Sequence, residues 1–189
     1  MITKNYWFQR MMEDNSIFNN LCEDSVFDQF NLLYGERLMS ICPLLRKFRI
    51  SVLLIDDLIR SNIITEEDAD NQAYLNYIEK TEEDASETRA YIGKNNEIIE
   101  TLSLTREEQF ACIAHEIGHI FYFFHTNQDG KGGQGEEIAA DQYVCRLGLR
   151  EPLNTVLQKL YDTNWFSEGI KRQLRTRQFW IEFSPFDDA

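Results

Sequence analysis

Two histidines and a downstream pair of acids constrain the fold of this chain more than any other feature. His115 and His119 stand four residues apart in His115-Glu116-Ile117-Gly118-His119, and Glu137-Ile138-Ala139-Ala140-Asp141 follows. Residues i and i+4 of a helix lie one above the other, so a helix here brings both imidazoles to one point. Thr105-Arg106-Glu107-Glu108 is a capping-box pattern at the head of the run. Phe110, Ile113, Ala114, Ile117, Ile120, Phe121 and Phe124 recur at helical steps, and no proline interrupts residues 105 to 125. A helix is therefore expected over 105–125. Gly118, about 1 kcal/mol worse than alanine in a helix interior, marks close packing beneath the histidine pair.

Two imidazoles on one face are two ligands for a metal ion. A catalytic zinc commonly has three protein ligands and one open position. Glu116 projects about 100° around the helix from His115. It falls beside the shared point, where it can act as general base toward water. The third ligand must come from elsewhere, and Glu137 is the choice. Between Thr126 and Gly135 stand Gly130, Gly132 and Gly133 with Asn127 and Asp129, the composition of a loop. A second helix then starts near Gln134 to Glu136, takes its apolar face from Ala139, Ala140, Tyr143, Val144 and Leu147, and ends at Gly148. This helical hairpin returns Glu137 to the histidines. Asp141, one turn beyond Glu137 on the same face, can accept a hydrogen bond from a liganding imidazole and set its tautomer. Glu136 carries the same charge as Glu137 and remains an alternative ligand; the four-residue step to Asp141 favours Glu137.

His-Glu-Ile-Gly-His followed by Glu-Ile-Ala-Ala-Asp resembles the gluzincin metallopeptidases, whose signature is His-Glu-x-x-His with a downstream Glu-x-x-x-Asp. The resemblance implies one zinc per chain held by His115, His119 and Glu137, water polarised by Glu116, and Asp141 supporting a ligand histidine. Arg106 to Leu147 is also similar to the ImmA/IrrE-type metallopeptidases, through the run Ala114-His115-Glu116-Ile117-Gly118-His119. The expected function is hydrolysis of peptide bonds in a protein or peptide substrate. In gluzincins a strand before the motif helix commonly edges the cleft and pairs with an extended substrate, which would bind through backbone hydrogen bonds. A reading of a different class is a zinc-stabilised interaction or regulatory module without turnover. The intact Glu116 argues against it, because a structural site needs no base.

The whole chain sets broader bounds. Its 189 residues are 43% apolar, with thirteen Phe, eight Tyr and three Trp, which suits one globular domain over 1–189 with a catalytic core at about 88–148. The net charge of −13 repels phosphates, so direct contact with nucleic acid is not expected, including in a regulator of DNA-binding proteins. No apolar run approaches ~18 residues and Met1 to Trp7 lacks an apolar leader core, so no membrane span and a cytoplasmic location are expected. The four cysteines form no Cys-x-x-Cys pair, and Cys112 and Cys145 read as small buried residues packing the two motif helices. The acidic stretch from Glu66 to Glu87 reads as a solvated face. Arg46, Lys47 and Arg49, like Lys171, Arg172, Arg175 and Arg177, read as partners of acidic neighbours. His125 is expected to be solvated at a helix end, and Tyr122 and Tyr143 to be packing residues rather than oxyanion donors.

Elsewhere, residues 25–39 and 43–61 read as helices, although Ile50 to Ile55 could instead be a buried strand. Thr65 to Lys80 reads as a helix from its Thr-x-x-Asp start and from Ala69, Ala73, Tyr77 and Ile78. Arg89 to Ile92 and Glu97 to Leu102 read as a β-hairpin turning at Gly93-Lys94-Asn95-Asn96. Pro152 to Tyr161 and Ser167 to Ile181 read as helices, followed by an acidic tail from Ser184 to Ala189. The expected fold is a mainly helical α+β domain, with a small hairpin or sheet before the motif helix, in the zincin-like arrangement that the resemblance implies.

Overall fold

The computed structural model describes residues 17–43, 50–67, 69, 71–79, 89–126 and 133–183. In chain order the elements are β1 (Phe18–Asn20), α1 (Ser25–Ile41), β2 (Ile50–Leu54), α2 (Ile55–Arg60), β3 (Tyr74–Glu79), β4 (Arg89–Lys94), α3 (Asn96–Thr101), α4 (Arg106–Thr126), α5 (Gln134–Arg146), α6 (Arg150–Asp162) and α7 (Glu168–Glu182). The fold is mixed α+β and mainly helical, with one four-stranded sheet of order β1-β2-β4-β3. β1, β2 and β4 run parallel, and β3 is antiparallel to β4.

Three expectations for the segments before the motif helix need correction. Ile50 to Leu54 is the buried strand and not part of a helix over 43–61; it is held on both sides, by β1 and by β4. Residues 74–79, expected at the end of a helix over 65–80, form β3. Tyr74 and Leu75 are both buried, one in each of two hydrophobic clusters on opposite faces of the sheet. Successive strand residues face opposite ways, so tertiary packing on two sides overrides the helical spacing. The hairpin exists, but its partners are β3 and β4, with Tyr77 opposite Tyr91. Residues 97–101 belong to α3, because Asn95 is an N-cap and not a turn residue: its Oδ1 accepts from the Ile98 N–H at 3.2 Å. Gly93 lies inside β4, where a Cβ would come within 2.7 Å of Leu58 Cδ1 and 2.9 Å of Ile55 Cγ1. That glycine lets α2 sit close against the sheet.

The opposite face of the sheet carries the site. Ile50, Val52, Ala90 and Ile92 are buried there in one large cluster with Phe27, Phe30, Phe110, Ile113 and Ile117. α1 is capped by Asp24, whose Oδ1 accepts from the Val26 N–H at 2.7 Å, and Asp24 also pairs with Lys94 at the end of β4. α4 begins at the expected capping box: the Thr105 N–H donates to Glu108 Oε2 at 2.7 Å, and the Glu108 N–H donates to Thr105 Oγ1 at 3.3 Å. Lys159 on α6 donates to the same Glu108 oxygen at 2.7 Å, linking the start of α4 to a neighbouring helix. α5, α6 and α7 form where their sequence patterns predict. The acidic stretch lies in part, and residues 44–49, 127–132 and the tail at 184–189 lie wholly, outside the described residues.

Candidate metal centre and cleft

Gly118 decides how near the two motif helices come. A Cβ at this position would lie 2.8 Å from Ala140 Cα and 3.0 Å from Ala140 O, so the backbone of α5 rests where a side chain would be. The expected close packing beneath the histidine pair is present. It draws Glu137 and Asp141, on the same face of α5, against His115 and His119 on α4.

The four side chains form a compact cluster. His115 Nε2 and His119 Nε2 are 3.1 Å apart. Glu137 Oε2 lies 3.4 Å from His115 Nε2, and Glu137 Oε1 lies 3.4 Å from His119 Nε2. His115, His119 and Glu137 thus form a group that could hold a metal ion, one donor atom from each lying within 4.8 Å of the others. Behind the imidazoles sit two further carboxylates. His115 Nδ1 is 2.9 Å from Asp141 Oδ1, and His119 Nδ1 is 3.1 Å from Glu136 Oε1. Asp141 takes the place expected of it. Glu136, weighed in the sequence as a substitute ligand, instead stands behind His119 as Asp141 stands behind His115. Neighbours on a helix point about 100° apart, so Glu136 and Glu137 approach the same histidine from different sides.

This arrangement dictates what the centre can hold. A carboxylate beside each Nδ1 places the ring proton there, which leaves each Nε2 as a bare lone pair. Those two lone pairs and the Glu137 oxygens then converge, an arrangement that suits a cation, and the Arg177 guanidinium already stands on Glu137 Oε2. Burial and the Arg177 charge oppose the charged form of His115, but hydrogen bonds to Asp141 and Glu137 outweigh them and raise it to about 10. Burial also pushes Glu137 and Asp141 up. It is outweighed for Glu137 by His115 and His119, and for Asp141 first by Arg177, so both stay below their ordinary values.

Sequence reasoning missed the site roles of two residues, and both lie outside the stretch 88–148. Asn76 of β3 donates from Nδ2 to Glu116 Oε2 at 2.7 Å. It stands opposite Ile92 in the strand register and so points to the face covered by α4. Arg177 of α7 reaches both Asp141 and Glu137, at 2.7 and 2.6 Å. Its reading as a partner of acidic neighbours holds, but the acids are those of this centre. Nothing local to either residue signals its role, since each contact spans dozens of residues of chain.

A cleft of about 820 Å³ opens over the centre. Its floor includes His115, Glu116 and His119. One wall is the run Asn71 to Ile78, containing most of β3, and the other includes apolar side chains of α6 and α7 such as Leu157, Leu160 and Ile170. β3 is the outer strand of the described sheet. Cys112, read from sequence as simply buried, borders the cleft; burial, with the charges of Glu116 and Glu108, pushes its thiol up to about 12. Cys145 is buried as expected. Tyr143 packs edge-on against Phe121 at 4.2 Å, and neither Tyr143 nor Tyr122 lines the cleft. The side chain of His125 lies outside the described residues. No helix among the described residues is long and apolar enough to cross a membrane.

No family model matches the chain, and no characterised protein or solved structure matches it either.

Proposed function

We propose that the chain is a zinc-dependent metallopeptidase that hydrolyses peptide bonds in a protein or peptide substrate. The observation that carries this reading is the division of labour among the acids. Glu137 joins the two Nε2 atoms, Asp141 and Glu136 hold the two Nδ1 atoms, and Glu116 belongs to neither set but faces the cleft. The donor set suits zinc. Tetrahedral bonds of about 2.0–2.1 Å imply donor separations of about 3.3–3.4 Å; the two Nε2 atoms are 3.1 Å apart, and Glu137 brings a different oxygen to 3.4 Å from each. His115, His119 and Glu137 would hold the ion, which when bound polarises a carbonyl and makes a water more acidic.

The remaining roles fall to the protein. Glu116 accepts the proton of the attacking water and delivers it to the leaving amine. Asn76 occupies Glu116 Oε2, which orients the carboxylate and leaves Oε1 to take that proton. The outer strand β3 offers backbone hydrogen bonds to an extended peptide, and the apolar wall from α6 and α7 accommodates its apolar side chains. The likeness of the two motifs to those of gluzincins supports the same reading.

Metal analysis and product detection test it together. The wild type is expected to carry one zinc and to generate new peptide termini in a mixed proteome. Glu116→Gln should keep the zinc and lose cleavage, and His119→Ala should lose both. Turnover by Glu116→Gln would overturn the assigned base. A wild type without zinc would remove the reading altogether, and zinc without cleavage of any protein would favour the binding module.

A further inference from the structure

Arg177 has no part in the reaction as proposed, yet it is buried against the centre. Its Nε donates to Asp141 Oδ2 at 2.8 Å and its Nη2 to Asp141 Oδ1 at 2.7 Å. Its Nη1 lies 2.6 Å from Glu137 Oε2, and its side chain is only 12% exposed. A guanidinium offers donors along two edges in a rigid plane, so it fixes the orientation of two carboxylates at once, which an ammonium cannot do. Asp141 and Glu137 are one helical turn apart on α5, and Arg177 from α7 spans them.

The consequence for Glu137 is specific. Both Glu137 oxygens face the imidazoles, Oε2 at 3.4 Å from His115 Nε2 and Oε1 at 3.4 Å from His119 Nε2, but only Oε2 is engaged by Arg177, at 2.6 Å. We propose that Arg177 is a positioning residue that restricts Glu137 to one metal-binding oxygen and so keeps a coordination position open, while holding Asp141 beneath His115. The inference rests on the metal-centre reading above and extends it to α7. Without this clamp Oε2 is released to bind the ion together with Oε1 and fill the position that water needs. A residue that only fastened α7 to α5 would have no such effect.

Cobalt(II) is the probe, because its visible bands are intense with four ligands and weaken with five. Metal-free wild type, R177K and R177Q are titrated with cobalt(II), with thermal melts recorded beside the spectra. The wild type should bind one ion with intense bands. R177K, which keeps the charge but loses the fork, should bind one ion with bands several-fold weaker, as should R177Q. Variants that melt lower yet show wild-type bands would overturn the clamp and leave the metal reading standing. A wild type that binds neither cobalt(II) nor zinc would overturn both. Zinc-loaded wild type labelled with 15N-arginine keeps the clamp open to refutation even if both variants unfold. Separately resolved Nη protons on Arg177 are expected, and a single averaged signal would overturn the clamp.

Discussion

Replacing Gly118 with alanine adds one methyl group where α4 and α5 come closest. The new Cβ would lie 2.8 Å from Ala140 Cα, 3.0 Å from Ala140 O and 3.2 Å from Ala140 Cβ. Ordinary contact begins at 3.4 Å, so α5 must retreat by about 0.6 Å to restore it, and no rotamer change relieves a clash with backbone. Alanine gains about 1 kcal/mol of helix propensity over glycine, against an overpacking cost of about 1–3 kcal/mol. Gly135→Ala is the reference without overpacking, because its Cβ, in the first turn of α5, meets nothing within 4 Å. Gly118→Ala should therefore be less stable than Gly135→Ala by about 1–3 kcal/mol, a gap of roughly 2–4 °C in Tm for each kcal/mol. Glu137 is on the displaced helix, so zinc affinity by chelator competition should also fall, by about tenfold or more. Circular dichroism melts of the metal-free proteins supply the stability comparison. If Gly118→Ala melts with Gly135→Ala and binds zinc like the wild type, the argument from close approach is wrong.

Asn76→Ala removes a hydrogen bond to a carboxylate of about 1.5–3 kcal/mol, so kcat/KM should fall roughly 10- to 100-fold with zinc content unchanged; full turnover would exclude Asn76 from the reaction. Thr105→Ala deletes the cap of α4 and should cost about 1 kcal/mol, seen as a lower Tm and faster amide exchange in the first turn of α4; unchanged exchange would mean that the cap is dispensable. Burial pushes Cys112 up from 9.0 and Tyr143 up from 10.0, each to about 12. Both folded values exceed the unfolded ones, so this stability is fully present below about pH 9 and is lost as pH rises toward about 12. Urea midpoints should fall steadily across that window, and a flat profile would show that neither group is perturbed by folding.

Much of the centre could be read from the chain because it depends on contacts within a few helical turns. The four-residue steps from His115 to His119 and from Glu137 to Asp141 place each pair on one face wherever a helix forms. The box from Thr105 to Glu108 and the apolar periodicity supply that helix, and the structure has both features. Gly118 was legible for a related reason: a glycine with a propensity cost inside a strong helix asks for a neighbour close by.

Long-range contacts settled the rest. Helical spacing over 65–80 yielded to a strand, because β4 pairs with residues 74–79 and Tyr74 and Leu75 are buried on opposite faces of that strand. Asn95, read as a turn residue, caps α3 instead, directly after the strand that ends at Lys94. Local spacing is enough to specify two helices and the ring faces they share, since those depend on bond geometry alone. Which acid meets which imidazole nitrogen, and that Asn76 and Arg177 join them, depends on the packing of strands and helices distant in sequence, where side-chain direction follows from tertiary register.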